Sequence, residues 1–401
     1  MTEKTTVVVI GGGYAGVMAA NRLTARDDVS VTLVNPRPDF VHRIRLHQLA
    51  AGNDDAVVAY RDVLAEGVRL VVDRVTRIDA AGRAVDLAGG DTVGYDYLVY
   101  AVGSGSADPG VPGAAEFAYP IADLEETLRL RPALDAAPAT APITVVGAGP
   151  TGIETAAELA EAGRRVTLVC GGVLGPYLHA RGRRSVARRF AALGVTVLEG
   201  PGTKVTAVRR EAVELADGRE VESALTIWTA GFGVPDLAVR SGLRTDALGR
   251  LLTDETLTSV DDVRIVAAGD SAAPSGMALR MSCQAAMPLG ARAADTVADR
   301  IDGKVPGELN EKFAGQCISL GREAGIFQFA KHDVAVWFHV GGRPGAKLKE
   351  KVCSGVVKHL ADEAGKPGSY GLHRIKGSAR RRELLAARGE EAPAGNPERV
   401  A

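Results

Sequence analysis

The chain has 401 residues, of which 46% are hydrophobic and 24% charged, with a formal net charge of −1. That length suggests two to three domains, and the composition excludes disorder as the main state. Near-zero charge and only 4% aromatic residues exclude an evident nucleic-acid-binding surface. No stretch of 18 consecutive apolar residues occurs, so no membrane-spanning helix is expected. The segment from Met1 to Thr6 runs straight into an apolar strand without a leader pattern, and the expected location is the cytoplasm.

In chain order, TVVVI at residues 6–10 reads as a buried strand that breaks into Gly11-Gly12-Gly13-Tyr14-Ala15-Gly16. A helical pattern follows, and a second strand over 29–34 completes a βαβ unit of about 30 residues. The three spaced glycines have separate tasks. Gly11 makes the tight turn, Gly13 lets backbone approach a pyrophosphate, and Gly16 lets the helix pack on the strand. The phosphates then face free N–H groups at the helix N-terminus.

The unit recurs. Residues 143–146 lead into Gly147-Ala148-Gly149-Pro150-Thr151-Gly152, then a helix over 153–162 and a strand over 165–169. Two complete fingerprints indicate two bound dinucleotides, most simply FAD and a nicotinamide nucleotide. Weaker signals lie at a strand ending in Ala101-Val102-Gly103-Ser104 and another ending in Gly269-Asp270. An acid there suits a polar cofactor tail at the carboxyl edge of a sheet, or a helix N-cap.

The four cysteines, Cys170, Cys283, Cys317 and Cys353, form no CxxC or CxxxxC pair. Neither a zinc ribbon nor a redox-active cysteine pair beside a flavin is expected from that spacing. The seven histidines form no HxH or HExxH, no G-x-S-x-G elbow is present, and no metal is expected.

The segments VVVIGGGYAGVMAA, YDYLVYAVGS, ITVVGAGPTGIETAAELAE, TIWTAGFGVPDL, VRIVAAGDSA and ISLGREAGIFQF resemble, in content and order, the two-dinucleotide-fold flavoprotein reductases. Within that group the chain is similar to the type II NADH:quinone oxidoreductases and the ferroptosis-suppressor and apoptosis-inducing-factor-like reductases, over roughly residues 6–340. The resemblance implies an FAD-dependent NAD(P)H dehydrogenase that passes a hydride from nicotinamide to flavin and two electrons to a quinone or similar small acceptor. It places Gly11, Gly13, Tyr14, Ala15 and Gly16 at the FAD pyrophosphate and Asp270, beside Gly269, at the ribityl chain. Ala101, Gly103 and Gly231 are carried over as further cofactor-binding positions. Gly147, Gly149 and Gly152 would hold the NAD(P)H pyrophosphate, with Glu154 near the nicotinamide–flavin stack. The alternative for Glu154 is a first-turn acid complementing the helix dipole.

The chain also departs from that pattern. Gln284, in SCQAAMP, matches the first glutamine of the family's quinone-site helix, while Pro288 stands where a second glutamine is expected. Asn35 replaces the acid that normally ends the second strand and binds the FAD ribose, although its amide can accept one hydrogen bond and donate another. The corresponding place in the second unit is Cys170; with no carboxylate there, NADPH is admitted and slightly preferred, with Arg181, Arg183 and Arg184 downstream. Arg43 and Arg45 are expected at flavin phosphates or at the surface.

Over residues 304–401, seventeen Lys and Arg face eleven Asp and Glu, a net +6 that leaves −7 for the first 303 residues. This basic region is expected either to meet a membrane surface or acidic redox protein, or to dock on its own domain. Residues 346–361 form the candidate amphipathic helix, with Leu348, Val352, Cys353, Val356, Val357 and Leu360 on one face.

The expected architecture is α/β: two Rossmann-like dinucleotide-binding domains and a small α+β C-terminal domain. The FAD domain would comprise 1–125 and 254–305, the inserted NAD(P)H domain 139–253, and the acceptor or dimer domain 306–375, followed by a disordered tail over 376–401. A homodimer and peripheral attachment to the inner membrane face are among the assemblies this allows. Competing readings are a reductase of a ferredoxin- or rubredoxin-type protein and a redox-sensing flavoprotein; a sulfide:quinone oxidoreductase fits less well for want of a cysteine pair.

Overall fold

A computed structural model describes residues 4–309, 315–331, 335–371 and 379–391. The first sheet orders its parallel strands β10-β4-β1-β2-β3, where β1 is Thr5–Ile10, β2 Val29–Asn35, β3 Val68–Val72, β4 Tyr97–Tyr100 and β10 Ile265–Ala267. Strand β1 is a β-branched run in the middle of a sheet covered on both faces, and Val7, Val8 and Val9 are fully buried. The chain runs from β1 outward to β3 and then returns to β4 on the other side of β1. The carboxyl ends of β1 and β4 therefore form the topological switch point where α/β sheets bind ligands.

Helix α1 (Tyr14–Leu23) follows β1 and packs against helix α6 (Cys283–Ile301). The approach is close because Gly290 of α6 has no side chain; a Cβ there would meet the Ala15 carbonyl oxygen at 2.2 Å. Pro288 lies inside α6 without ending it.

The second sheet repeats the pattern in the order β5-β9-β6-β7-β8: β5 is Ala118–Pro120, β6 Pro142–Val146, β7 Arg165–Val169, β8 Thr196–Leu198 and β9 Leu225–Trp228, all parallel. Helices α4 (Pro150–Glu161) and α5 (Ala180–Leu193) connect β6 to β7 and β7 to β8.

The domain limits differ from those expected. Strand β5 pairs with β9, and Leu130 and Leu134 of helix α3 (Leu124–Ala136) share a core with Ile143 and Val145. Residues 118–136 thus belong to the second unit. At its far end, Leu237, Ala238, Leu243 and Leu251 pack with Ile10, Tyr100 and Ile265 of the first, so the return crossing comes before residue 237. Glycine- and alanine-rich connections carry no apolar period that could mark either border.

The C-terminal module is an antiparallel sheet of β11 (Gly315–Ser319), β12 (Gly325–Lys331) and β13 (Ala335–Gly341), followed by helix α7 (Gly342–Gly365). The buried face of α7 is Gly345, Lys349, Cys353, Val356, Leu360 and Glu363. Val356 and Leu360 join the core around α1, and Arg22 of α1 ion-pairs with Glu363 at 3.1 Å. Of the two expected uses of this stripe, membrane contact or docking on its own domain, the structure has the second, with Val356 and Leu360 covered by the first domain. Lys358 pairs with Asp362 along the outer side, and Lys312 and Lys376 lie outside the described residues.

Within the expected disordered tail, residues Ala379–Glu391 form helix α8. Its Arg381 makes two hydrogen bonds to the Glu255 carboxylate, at 2.7 and 2.8 Å, and others to the Pro274 and Met277 carbonyls. The partly buried Arg381 thus ties the helix to the first domain, which its polar composition gives no hint of. Among the described residues, no helix is long and apolar enough to cross a membrane.

Candidate functional site

Both fingerprints adopt the geometry a pyrophosphate requires. Gly11 has φ +99° and Gly147 φ +110°, in the region that disfavours side chains. A Cβ on Gly16 would lie 1.8 Å from the Gly11 carbonyl oxygen, and one on Gly152 1.8 Å from that of Gly147. A Cβ on Gly13 or Gly149 would meet nothing within 4 Å. Each middle glycine faces open space at a helix start whose N-cap supplies no side-chain hydrogen bond, so free N–H groups point into the cradle. Thr229 closes the base of the second cradle, its hydroxyl donating to the Val146 carbonyl at 2.8 Å.

Beside the first cradle lie Ala101, whose N–H donates to the Ile10 carbonyl, and Gly103 and Gly269 with φ of +70° and +73°. Asp270 accepts a hydrogen bond from the Ser104 hydroxyl at 2.7 Å and from the Ser282 N–H at 3.1 Å. Arg43 donates to the Ser104 carbonyl and hydroxyl, lies over the Phe232 ring, and keeps one buried guanidinium nitrogen, Nη2, without a partner. Gly231, φ +85°, sits where the chain crosses back, beside the pairing of Gly105–Ser106 with Phe232–Gly233. Gln284, in the first turn of α6, keeps a buried Oε1 without a partner. These two orphaned polar atoms and the open cradle fit a bound flavin nucleotide.

Two assignments change in detail. Asn35 does not present a free amide to a ribose: its Oδ1 accepts the Gly12 N–H at 2.9 Å and its Nδ2 donates to the Arg37 carbonyl at 2.9 Å. It shapes the fingerprint loop instead, together with the Tyr60 hydroxyl that donates to the Gly12 carbonyl. Tyr14 is likewise turned inward, its hydroxyl 3.2 Å from His42 Nδ1 and accepting the Ile44 N–H, so Tyr14 and Ala15 offer the cradle only their backbone. Arg45 is bound to Glu350 and Gln48.

No carboxylate stands at Cys170 itself, but one comes near it from the neighbouring strand. Glu199, just after β8, accepts the Leu174 N–H at 2.7 Å and lies near the Cys170 thiol. Burial and that carboxylate push the thiol to about 12. The acid comes from the neighbouring strand's end, a place the fingerprint rule does not inspect. Arg183 turns its Nη2 back toward the Leu178 carbonyl, while α5 abuts the C-terminal sheet, with the His179 N–H donating to Gln328. The carboxylate near Cys170 and the inward turn of Arg183 both count against the NADPH preference read from Cys170.

Glu154 is past the first turn of α4, so the helix-dipole alternative fails. Its carboxylate is buried and turned toward the C-terminal module: Oε1 accepts the Ser319 N–H and the Lys349 ammonium, each at 2.9 Å. On the other side His47, from helix α2 (Leu46–Ala51), lies with Nδ1 3.8 Å from Glu154 Oε2 and Nε2 3.9 Å from Glu158 Oε1. Glu158 also accepts Asn53 Nδ2 at 2.9 Å, the Ser319 hydroxyl and Arg322.

Burial opposes both charges of the central pair, yet the Lys349 ammonium, His47 and the Ser319 N–H hold Glu154 below the usual carboxylate range. The Glu154 carboxylate in turn holds Lys349 well above the usual lysine value despite its burial. Burial, reinforced by nearby cations, pushes His47 down to about 4.

Sequence reasoning missed Lys349, His47, Glu158 and Glu199. Lys349 could have been found: it falls at the 3.6-residue period of Cys353, Val356 and Leu360, a lysine on the apolar face. All four cysteines are free thiols. Although far apart in sequence, Cys283, Cys317 and Cys353 all lie within electrostatic reach of Lys349, and burial raises each thiol's pKa. Among the described residues, no group of three His, Cys, Asp or Glu side chains is placed to hold a metal.

Two parallel sheets, each ending in an open dinucleotide cradle and joined beneath a C-terminal cover, define an FAD-dependent NAD(P)H oxidoreductase. The chain belongs to the pyridine nucleotide-disulphide oxidoreductase family, which matches residues 5–290. It is 33% identical over 318 residues to an NADH dehydrogenase-like protein of Mycobacterium tuberculosis, covering 71% of this chain and 78% of that one. It is 32% identical over 319 residues to the type II NADH:quinone oxidoreductase Ndh of the same organism, covering 68% of each. Among solved structures, the sulfide:quinone oxidoreductase of Aquifex aeolicus superimposes with a TM-score of 0.76 at 20% identity, covering 96% of this chain and 95% of that one.

Proposed function

We propose that this flavoprotein oxidises NADH and reduces a quinone. The observation that carries the reading is the buried Lys349–Glu154 pair, which joins the nucleotide-domain helix to the C-terminal cover beside the α6 turn bearing Gln284. The relative named a type II NADH:quinone oxidoreductase supports it. Bound FAD supplies the capacity to take up a hydride and pass on two electrons.

The backbone N–H groups after Gly13 and Gly149 would hold the two pyrophosphates. Asp270 and Arg43 would orient the first nucleotide's polar tail, and Glu199 would favour the unphosphorylated ribose of NADH. Gln284 offers its orphaned Oε1 to a flavin N–H or a quinol hydroxyl. Lys349 places a charged, desolvated ammonium beside this region, suited to stabilise a developing quinol anion and donate a proton to it. A partner that takes only electrons has no use for such a buried proton donor.

Anaerobic stopped-flow mixing with NADH, then with a soluble quinone, tests this reading. Rapid bleaching followed by rapid return of the yellow flavin band is expected. Rapid bleaching without reoxidation by the quinone would overturn it in favour of a redox-protein acceptor or a sensor.

A further inference from the structure

Reducing a quinone to a quinol takes two electrons and two protons. The hydride of NADH brings both electrons and one proton equivalent, so the second proton comes from solvent. Lys349 and Glu154 are buried at 8% and 7% exposure, and a proton given up there has to be replaced through the protein.

From the geometry we propose that His47 relays that replacement proton, linking Glu158, which is buried but whose partners Asn53 and Arg322 are exposed, to Glu154 and Lys349. The inference rests on the quinone reading above. His47 is 4% exposed and is the only side chain described between the two carboxylates with one ring nitrogen facing each, at 3.8 and 3.9 Å. Those separations are slightly long for hydrogen bonds, so a small turn of the ring closes one at a time. Its Nε2 has no hydrogen-bond partner. Glu154 Oε1 is taken by Lys349 and Ser319, which leaves Oε2 facing the ring. Glu158 is itself 2% exposed, and because a guanidinium gives up no proton, its proton comes from water at the exposed edge formed by its partners Asn53 and Arg322, the latter 39% exposed.

The charges around the ring explain the direction of transfer. Facing His47 are Glu154 and Glu158 from α4, Lys349 from α7, Arg322 from the β11–β12 turn, and Arg45 from the segment before α2, itself paired with Glu350. With Lys349 charged, two carboxylates balance two cations and the ring stays neutral. Once Lys349 has lost its proton, the cluster carries one net negative charge. The imidazole then gains affinity for a proton from the Glu158 side and passes it through Glu154.

The test uses the FAD-loaded full chain and His47→Gln, which keeps polarity and removes titration. NADH should bleach the flavin at the wild-type rate. Reoxidation by a soluble quinone should slow about tenfold to a hundredfold, the solvent deuterium isotope effect should rise, and the pH profile should shift. A second readout needs no turnover: by NMR, the His47 ring should titrate about one pH unit higher in Lys349→Met than in wild type. Glu158→Gln should reproduce the slow reoxidation if His47→Gln does not fold. Wild-type reoxidation rate and isotope effect in His47→Gln would overturn the relay alone. Slowed bleaching by NADH would overturn it in favour of a structural role. A wild-type flavin that quinone does not reoxidise would overturn the functional reading itself.

Discussion

Glu154 and Lys349 form a buried ion pair, 2.9 Å between carboxylate and ammonium, that ties the helix of the second fingerprint to the C-terminal helix. Neither partner stands alone at low cost. Desolvation opposes each charge, and their mutual attraction, helped for Glu154 by His47 and the Ser319 N–H, holds both ionised.

Removing one partner should therefore do more harm than removing both. Lys349→Met leaves a buried, uncompensated carboxylate and should destabilise the protein by about 3–5 kcal/mol. The double variant Lys349→Met/Glu154→Gln should recover much of that loss while remaining slow in quinone reduction. Denaturant unfolding of the four forms gives the coupling directly; additive losses would show that the pair contributes nothing as a pair.

The fingerprint glycines should separate by what surrounds them. Gly13 and Gly149 have φ of −84° and −72°, which alanine adopts, and their Cβ positions are open. Gly13→Ala should fold but lose flavin. Gly149→Ala should stay yellow and bind NADH at least tenfold more weakly, because the added methyl occupies the pyrophosphate's place. Gly16→Ala drives a methyl into the Gly11 carbonyl and should fail to accumulate as folded protein. Retention of flavin by Gly13→Ala, measured by absorbance after gel filtration, would count against the first cradle as its site.

These contrasts also mark what the sequence makes legible. The spacing of Gly11, Gly13 and Gly16 and its repeat at Gly147, Gly149 and Gly152 encode a local backbone task, so both cradles are readable from one strand–turn–helix each. The surrounding polar network is not. His47, Glu154, Ser319 and Lys349 come from four elements, and nothing in local spacing says that they meet. The domain limits are obscured for a related reason: β5 and α3 join the second sheet through long-range pairing, while the intervening chain has no border of its own. Cys170 illustrates a third kind of gap, since the acid absent from its own strand is supplied by Glu199 on the next.

Glu199 gives a specificity test. The 2′-phosphate of NADPH would bring negative charge toward this exposed carboxylate, with repulsion of about 1 kcal/mol. Wild type should thus prefer NADH. Glu199→Gln should raise kcat/KM for NADPH about tenfold while changing NADH modestly, and Glu199→Arg should move it further. Steady-state rates with the two nucleotides decide it; an unchanged ratio would place the ribose elsewhere.

Acid stability should expose the two buried imidazoles. Burial, with Arg45 and Lys349 adding to it, lowers His42 to about 4, and His47 falls to about 4 for the same leading reason. Their ordinary value is 6.5, so between pH 6.5 and 4 the unfolded chain binds protons that the folded chain does not. Stability should therefore fall as pH drops through that window. At about 1.4 kcal/mol per pH unit, each ring accounts for roughly 3 kcal/mol in the acid limit. Glu154 moves the same way: its carboxylate lies below the ordinary range, so its contribution is present above that range and is lost on acidification. His47→Gln removes one of the two rings and should flatten the decline in unfolding free energy by nearly half. Equal slopes for wild type and His47→Gln between pH 6.5 and 4 would mean that the ring titrates normally and is not held neutral between Glu154 and Glu158.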